Sequence, residues 1–263
     1  SEDATPEDKM NYIDYALVKW GAWQRMNVLR NAVKRLTMPY FNVTLGDKLA
    51  LPGRPKKVTV ASLCNIGQLT MTVRRVNVKG DDDINPSDPD DYARLKKLIV
   101  PGETFTRTRR YIGMPPYKVV SDSMQIDGLK NGVYLVEFTT DNTSVPVERT
   151  LLYVSNLMLV SEAMPGNNVR MVVVNATTGE PVPGARIRVT STERRYSDNK
   201  GVETLTCNDA GEALFNCRPD FRHSYYIYTD GDTAFPESSF GGYFSYNDNR
   251  RKMNYVSLYT DRR

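Results

Sequence analysis

Histidine and cysteine are scarce in this sequence. Its 263 residues include one histidine, His223, and three cysteines, Cys64, Cys207 and Cys217. The usual metal clusters need several such ligands close together, so no metal site is expected. Catalytic triads that use a histidine base would have to recruit His223, and no nucleophile motif lies near it. We therefore predict a protein that is not an enzyme and that carries no metal or cofactor.

Long apolar runs and strong net charge are also missing. No stretch approaches the roughly 18 apolar residues that a membrane-spanning helix needs. The 35 basic and 31 acidic residues leave a net charge of +4, and the charges are evenly spread, so nucleic-acid binding is not expected. No signal peptide is visible, and we interpret Ser1 as a start produced by processing or trimming.

The acidic segment at residues 80–97 has the charge of a calcium loop. Its sequence, "GDDDINPSDPDDYARLKK", lacks the D-x-D-x-D-G spacing and the glutamate at the twelfth position that such loops use. We predict a solvated loop that leads into a short helix.

The first segment, residues 1–37, is predicted to be helical. Thr5 is a suitable N-cap, Pro6 suits the first helical position, and Glu7 and Asp8 follow in the first turn. Gly21 is expected to kink or split the helix. Apolar residues recur at three- to four-residue steps: Met10, Ile13, Leu17, Trp20, Trp23, Leu29, Val33 and Leu36. We interpret the tryptophan pair as a packing face.

Beyond Pro39 the sequence consists of short β-rich runs separated by turn signals. Because few helical patterns lie between the runs, an antiparallel sandwich is favoured over a βαβ sheet. We predict a mainly β protein with two consecutive antiparallel β-sandwich domains, at residues 38–155 and 156–255, after the helical segment. Within the second, "NDAGE" at 208–212 predicts a hairpin turn in which Gly211 takes a positive φ.

The stretch "TTGEPVPGARIRV" at residues 177–189 predicts a tight turn, an extended segment held by two prolines, and a strand. Glu180 has no partner acid or base at a useful spacing, so a catalytic role is not favoured. Alternation places apolar residues on one face of the strand and arginines on the other: Ala185, Ile187 and Val189 against Arg186 and Arg188.

Several motifs resemble a known family. "TGEPVPGARIRV" and the later "TCNDAGEALF" resemble an Ig-like module with the pattern T-G-x-P-V-x-G-A-x-V before T-D-x-x-G-x-A. Residues 129–162 resemble a macroglobulin strand and the join v-S-D-L between modules, and residues 52–76 resemble a first macroglobulin module. "VSLYTDRR" at 256–263 matches the start of T-D-R-x-x-Y-r-P-G, which opens the next domain. Together, residues 39–263 resemble the bacterial alpha-2-macroglobulin family in its Bacteroidetes form.

This resemblance implies an N-terminal piece of a larger protein that traps endopeptidases of a host or a competitor. In such proteins a bait segment is cut, the sandwiches collapse around the protease, and a thioester in a C-x-E-Q motif often couples to it. Here "CNIGQ" places Cys64 and Gln68 four apart and lacks the glutamate, so we predict no thioester and no catalytic residue. The implied partners are the proteases and neighbouring macroglobulin domains. The implied location is the periplasm or the outer-membrane surface, where a lipidated cysteine upstream of Ser1 would be a natural anchor.

A second interpretation is an adhesin-like or glycan-binding module. It depends on an aromatic face near the end of the chain, because aromatic rings can stack on sugars or dock a partner. The residues of this predicted face are Tyr225, Tyr226, Tyr228, Phe240, Tyr243, Phe244 and Tyr246. Packing between domains is the alternative explanation for them. Whether Cys207 and Cys217 form a disulfide stays open at this point.

Overall fold

The computed structural model describes residues 4–22, 26–78, 84–193, 200–218 and 221–234. The predicted fold class is confirmed: the described chain is mainly β, with helices at its N-terminus. The helices are α1 (Pro6–Trp20), α2 (Asn27–Leu36) and α3 (Pro89–Lys97). The first group of strands is β1 (Tyr40–Thr44), β2 (Leu49–Ala50), β3 (Lys56–Cys64), β4 (Gln68–Val76), β5 (Ile99–Arg110), β6 (Val119–Ile126), β7 (Gly132–Thr140) and β8 (Glu148–Val154). The second group is β9 (Leu157–Met164), β10 (Asn168–Asn175), β11 (Arg186–Glu193), β12 (Lys200–Thr206), β13 (Glu212–Asn216), β14 (Phe221–Tyr228) and β15 (Thr233–Ala234).

The N-terminal helix begins as its sequence predicts. The Thr5 hydroxyl accepts a hydrogen bond from the Asp8 N–H at 3.1 Å, and the Asp8 carboxylate accepts one from the Thr5 N–H at 3.1 Å. The Thr5 hydroxyl also donates to the Asp8 carboxylate at 2.7 Å, and this bond, followed by the one from the Thr5 N–H, lowers the pKa of Asp8. Helix α1 ends at Trp20, beside Gly21, and α2 starts anew at Asn27.

The first sandwich packs a sheet of order β1-β3-β6 against a sheet of order β2-β8-β7-β4-β5. Alternate residues of the facing strands form its core, and Leu63, Leu69, Met71, Ile126 and Phe138 are among its most deeply buried large side chains. Two ion pairs, Arg107–Asp127 and Arg109–Asp122, bridge β5 to the neighbourhood of β6 and close one open side. Charged side chains on an edge strand such as β5 protect the exposed edge of the sheet.

The second sandwich packs β13-β10-β9 against β12-β11-β14-β15. The stretch at residues 177–189 folds as predicted: the turn follows β10, and Ala185, Ile187 and Val189 point into the core. Cys207 and Cys217 are buried in the same core, and both are free thiols. The predicted domain limits stay a prediction, because the residues beyond 234 lie outside the described part of the chain.

The "NDAGE" turn differs from its prediction in one respect. Gly211 takes a φ of 72° as expected, and its N–H donates to the Asn208 carbonyl at 2.9 Å. However, the strands on either side of the turn join different sheets, β12 beside β11 and β13 beside β10. The turn is therefore an arch between the two sheets and not a hairpin. Burial explains the difference, because strands in opposite sheets can both point apolar side chains into the shared core, as Leu205 and Phe215 do.

Strand β7 is covered on both of its faces. Tyr134, Val136 and Phe138 point into the first core, and Val133 and Leu135 point into a second apolar cluster on the outer side of the sheet. Helix α3 covers this outer side through Leu95 and Tyr92, and the second sandwich contributes Tyr226. The five-stranded sheet is therefore a middle layer, which places it in position to connect the two sandwiches.

Candidate functional site

The predicted aromatic face falls partly inside the molecule. Within β14, Tyr225 points into the second core, and Tyr226 points the opposite way, into the cluster shared with the first sandwich. Tyr228 is half-buried, and the Arg186 guanidinium lies 4.7 Å from its ring centre. The rings of Tyr225 and Tyr226 are thus used in packing, as the alternative explanation predicted. The other four members, Phe240, Tyr243, Phe244 and Tyr246, lie outside the described residues, so for them the face stays a prediction.

The point where the two sandwiches meet has an aromatic centre. The ring of Tyr226 meets the ring of Tyr153, on β8, edge to face, with centroids 6.4 Å apart. Arg188, across from Tyr226 on β11, holds its guanidinium 6.0 Å from the Tyr226 ring. Around the two rings lie Val76, Val133, Leu151 and part of α3. We call this contact region, with the polar groups described next, the joint.

Asp232 is the polar centre of the joint. Its Oδ2 accepts hydrogen bonds from the Asn131 side-chain amide at 2.8 Å and from the Asn156 backbone N–H at 3.0 Å. Asn131 precedes β7 in the first sandwich, and Asn156 lies in the linker. One carboxylate from the second sandwich therefore holds both, which fixes the position of one sandwich against the other.

The two-residue linker is bonded on both sides. The Ser155 N–H donates to the Ala50 carbonyl of the first sandwich at 3.0 Å, and the buried Ser155 hydroxyl accepts from the Leu157 N–H at 2.9 Å. The Asn156 carbonyl accepts from the Ala176 N–H of the second sandwich at 2.6 Å. Because its backbone groups are hydrogen-bonded to both sandwiches, the linker has little freedom to act as a hinge.

A cleft of about 700 Å³ opens beside the joint. Its apolar floor includes Val76, Val78 and Val133, and its walls carry charged groups. Arg75 bonds the Glu103 carboxylate at 3.1 Å and the Asn131 carbonyl at 3.1 Å, and Arg186 pairs with Asp230. Burial raises the pKa of Tyr134, whose hydroxyl donates to the Lys130 carbonyl at the same end of the sheet. Each of these arginines is thus paired within its own sandwich, Arg75 in the first and Arg186 in the second.

His223 is buried at one end of the second core. Its Nδ1 lies 2.8 Å from the Ser191 hydroxyl, and its Nε2 lies 3.3 Å from the Arg218 carbonyl. The ring packs edge-on against Phe215 of the opposite sheet, with centroids 5.0 Å apart. The Ser191–His223 contact ties β11 to β14 from inside the sandwich, where a substrate has no access.

Cys64 and Gln68, the rejected thioester pair, have separate contacts. The Cys64 thiol is buried and lies 3.5 Å from the Leu36 carbonyl and 3.4 Å from the Pro116 carbonyl. Burial raises its pKa. The Gln68 amide instead donates to the Thr70 hydroxyl at 3.4 Å.

The acidic segment leads into a helix, as predicted. The Asp88 carboxylate caps α3 by accepting from the N–H groups of Asp90 and Asp91 at 2.9 and 3.1 Å. Over the ranges that the structure describes, no group of three or more potential metal ligands comes together. None of the described helices is long and apolar enough to cross a membrane.

Three residues of the joint escaped the sequence analysis: Asn131, Asn156 and Asp232. In the sequence, Asn131 stands before Gly132 in a pair typical of turns, and Asn156 belongs to the join between modules. No local pattern links them to Asp232, because the three positions meet only after both sandwiches have formed.

Comparisons with known proteins give structural neighbours only. No protein-family profile matches the chain, and no curated protein matches it. The chain is similar to the solved structure of native alpha-2-macroglobulin from Escherichia coli spanning domains NIE-MG1, with 13% identity over 74% of this chain and 95% of that one and a TM-score of 0.42. The solved structure that spans domains MG0-NIE-MG1 of the same Escherichia coli protein has 15% identity over 74% of this chain and 62% of that one, with a TM-score of 0.43. Red sea bream transglutaminase has 11% identity over 81% of this chain and 34% of that one, with a TM-score of 0.29. Likeness at this level carries no functional argument, so the architecture above rests on the sheets of the chain itself.

Proposed function

We propose that this chain is a non-catalytic structural segment of an alpha-2-macroglobulin-like endopeptidase inhibitor of the Bacteroidetes form. The observation that supports the proposal is the joint, where Tyr153 meets Tyr226 and Asp232 binds both Asn131 and the linker. A trap that closes when its bait is cut has to pass movement from one sandwich to the next. Two sandwiches that move as one body suit that task.

The motifs behind the family resemblance also have structural roles. In the join "VSNL", the buried Ser155 hydroxyl accepts from the Leu157 N–H and so turns the chain from β8 into β9. In "TGEPVPGARIRV", the turn returns the chain to β10, where the Val182 N–H donates to the Val173 carbonyl at 2.9 Å. Both motifs therefore build sandwiches, which agrees with a structural part in a larger assembly.

In this proposal the chain's partners are neighbouring macroglobulin domains of a longer protein, and endopeptidases meet the assembly as a whole. The chain is not an enzyme and has no thioester. Its place is outside the cytoplasm, in the periplasm or at the outer-membrane surface.

The test compares the longer protein with the 263-residue chain. Each is mixed with several endopeptidases of different mechanism, and residual activity is measured on a large protein substrate and on a small peptide. We expect the longer protein to block only the large substrate, since a trapped protease still reaches small peptides, and we expect the chain alone to block neither. Full digestion of the large substrate with every protease would contradict the proposal.

A matched pair of variants tests the part played by the joint. Tyr226→Ala removes the aromatic contact, whereas Tyr228→Ala removes a half-buried ring from the same strand and leaves that contact in place. If the joint passes movement along the protein, Tyr226→Ala weakens protection of the large substrate and Tyr228→Ala does so much less. Equal effects would show that the joint has no special part in trapping.

A further inference from the structure

The N-terminal helices have an unusual charge distribution. No aspartate or glutamate occurs between Asp14 and Asp47, and the basic residues of that stretch are Lys19, Arg25, Arg30, Lys34 and Arg35. Both tryptophans of the protein, Trp20 and Trp23, fall in the same stretch. Uniform positive charge beside aromatic residues is a feature of helices that lie on membrane surfaces.

Helix α1 exposes an apolar stripe. Tyr12, Tyr15 and Val18 recur every third residue, and their exposed fractions are 74, 58 and 89%, so they share one side of the helix. The opposite side carries Met10 and Ile13, which are buried. The stripe is therefore not the face that packs inside the molecule.

Cations lie next to this stripe and are not neutralised. The Lys19 ammonium lies 5.4 Å from the Tyr15 ring centre and 5.0 Å from the Trp20 ring centre. Arg30 donates to the Gly21 carbonyl and to the Asn27 side chain, both at 3.1 Å. Across the described ranges, neither these two residues nor Lys34 and Arg35 form an ion pair with a carboxylate.

Within the described part of the chain, the two helices have few ties to the sandwiches. The Asn65 amide donates to the Thr37 carbonyl at 2.6 Å, and the Cys64 thiol lies near the Leu36 carbonyl. Helix α2 has no buried residue. The pair α1 and α2, which we call the helical hairpin, therefore presents its apolar and basic groups to the surroundings.

We propose that the helical hairpin docks on the surface of a lipid bilayer that contains anionic lipids. The start of α1 carries three carboxylates, Glu7, Asp8 and Asp14, but the hairpin beyond Asp14 has basic residues and no carboxylate. This later part complements an anionic surface, and tyrosine and tryptophan rings favour the interface between headgroups and acyl chains. A lipid surface needs no partner of matched shape, so the exposed side chains Tyr12, Tyr15, Val18 and Trp20 can enter it directly. This inference does not depend on the proposed function.

Lipid vesicles and tryptophan fluorescence test the proposal on the intact 263-residue chain. Because Trp20 and Trp23 are its only tryptophans, the emission reports on the hairpin region alone. With vesicles of phosphatidylcholine containing about 30% phosphatidylglycerol, we expect a blue shift and co-sedimentation. With vesicles of phosphatidylcholine alone, we expect neither.

Variants separate the apolar part from the charged part. Each basic residue near an anionic surface contributes about a fivefold gain in partitioning, so the pair Lys19→Gln and Lys34→Gln should lower it about 25-fold. Val18→Asp should abolish the blue shift. The matched controls lie on the first sandwich: Ile112→Asp changes a residue that is 83% exposed, and Lys57→Gln removes one exposed charge. Both should bind as the wild type does.

Three results would overturn the proposal. They are no partitioning into anionic vesicles, equal partitioning into vesicles without anionic lipid, and equal losses in the hairpin variants and the sandwich controls. Circular dichroism of each variant establishes that its fold is intact, and the substituted side chains are exposed, so loss of binding is not a consequence of unfolding.

Discussion

The buried carboxylate of Glu137 offers a sharp test of how the first sandwich is stabilised. Glu137 lies on β7 with 5% of its surface exposed. It pairs with Arg74 and with Arg149, whose Nε lies 2.9 Å away, and it accepts from the Tyr92 hydroxyl of α3 at 2.9 Å. The Arg149 guanidinium also lies over the Tyr92 ring, at 3.9 Å from its centre. One carboxylate thus joins two strands and a helix.

Replacing Glu137 with glutamine keeps its size and removes its charge. Breaking a buried ion pair costs about 3–5 kcal/mol. Here the arginine side chains keep 31 and 23% of their surface exposed, so water partly compensates them, and we expect a loss of about 2–3 kcal/mol. For a sandwich of this size the Tm should fall by about 10 °C. The measurement is urea and thermal unfolding followed by circular dichroism.

Glu103→Gln is the matched control. Glu103 lies on β5 of the same sheet and pairs with Arg75, but its side chain is 43% exposed, so the same substitution should cost less than about 1 kcal/mol. The effect of Glu103→Gln should disappear in about 1 M salt, whereas the effect of Glu137→Gln should largely remain. Equal losses in the two variants would refute the claim that burial makes Glu137 important.

Three further predictions concern the backbone, pH and thiols. In Gly211→Ala the new Cβ would lie 2.7 Å from a backbone oxygen, whereas in Gly179→Ala the new Cβ would have no atom within contact distance. Both glycines have a positive φ, so urea unfolding should show a loss of stability of about 1 kcal/mol for Gly179→Ala and about 2–4 kcal/mol for Gly211→Ala. Equal losses would contradict the close packing at Gly211. Burial, with a hydrogen bond to Asp122, raises the pKa of Tyr111 from 10 to about 12. The stability that this shift contributes is complete below pH 10 and is lost as the pH rises to 12. Tyr111→Phe should remove that part of the pH dependence of the free energy of unfolding. Burial raises the pKa of Cys217 to about 11, so iodoacetamide at pH 8 should label it only after denaturation, and rapid labelling of the native chain would count against its position.

Local features were the most predictable part of the fold. The cap at Thr5, the break near Gly21 and the positive φ of Gly211 each depend on a few neighbouring residues. The same is true of the alternation that turns Ile187 inward and Arg188 outward, because a strand reverses its side chains at every residue.

Strand β7 shows where local patterns stop being informative. Its sequence "GVYLVEFTT" is a nearly continuous apolar run, and alternation does not say which residues face which core. In the structure it is buried on both faces, because α3 and Tyr226 cover the side that an ordinary sandwich would expose to water. Val76 of β4 is apolar although it is out of phase with Leu69, Met71 and Val73, which point into the first core. The same covering explains this, because Val76 points into the outer cluster.

Composition and short-range periodicity were enough to predict the fold class, the positions of most strands and the scarcity of groups suited to catalysis. The joint, in contrast, forms only in the folded molecule. Asp232 lies 101 residues from Asn131 and 76 from Asn156, and their hydrogen bonds exist only when two separately formed cores are pressed together. Likewise, Tyr225 and Tyr226 are neighbours in the chain but are buried in different clusters, because burial depends on what the rest of the chain places against each face of β14.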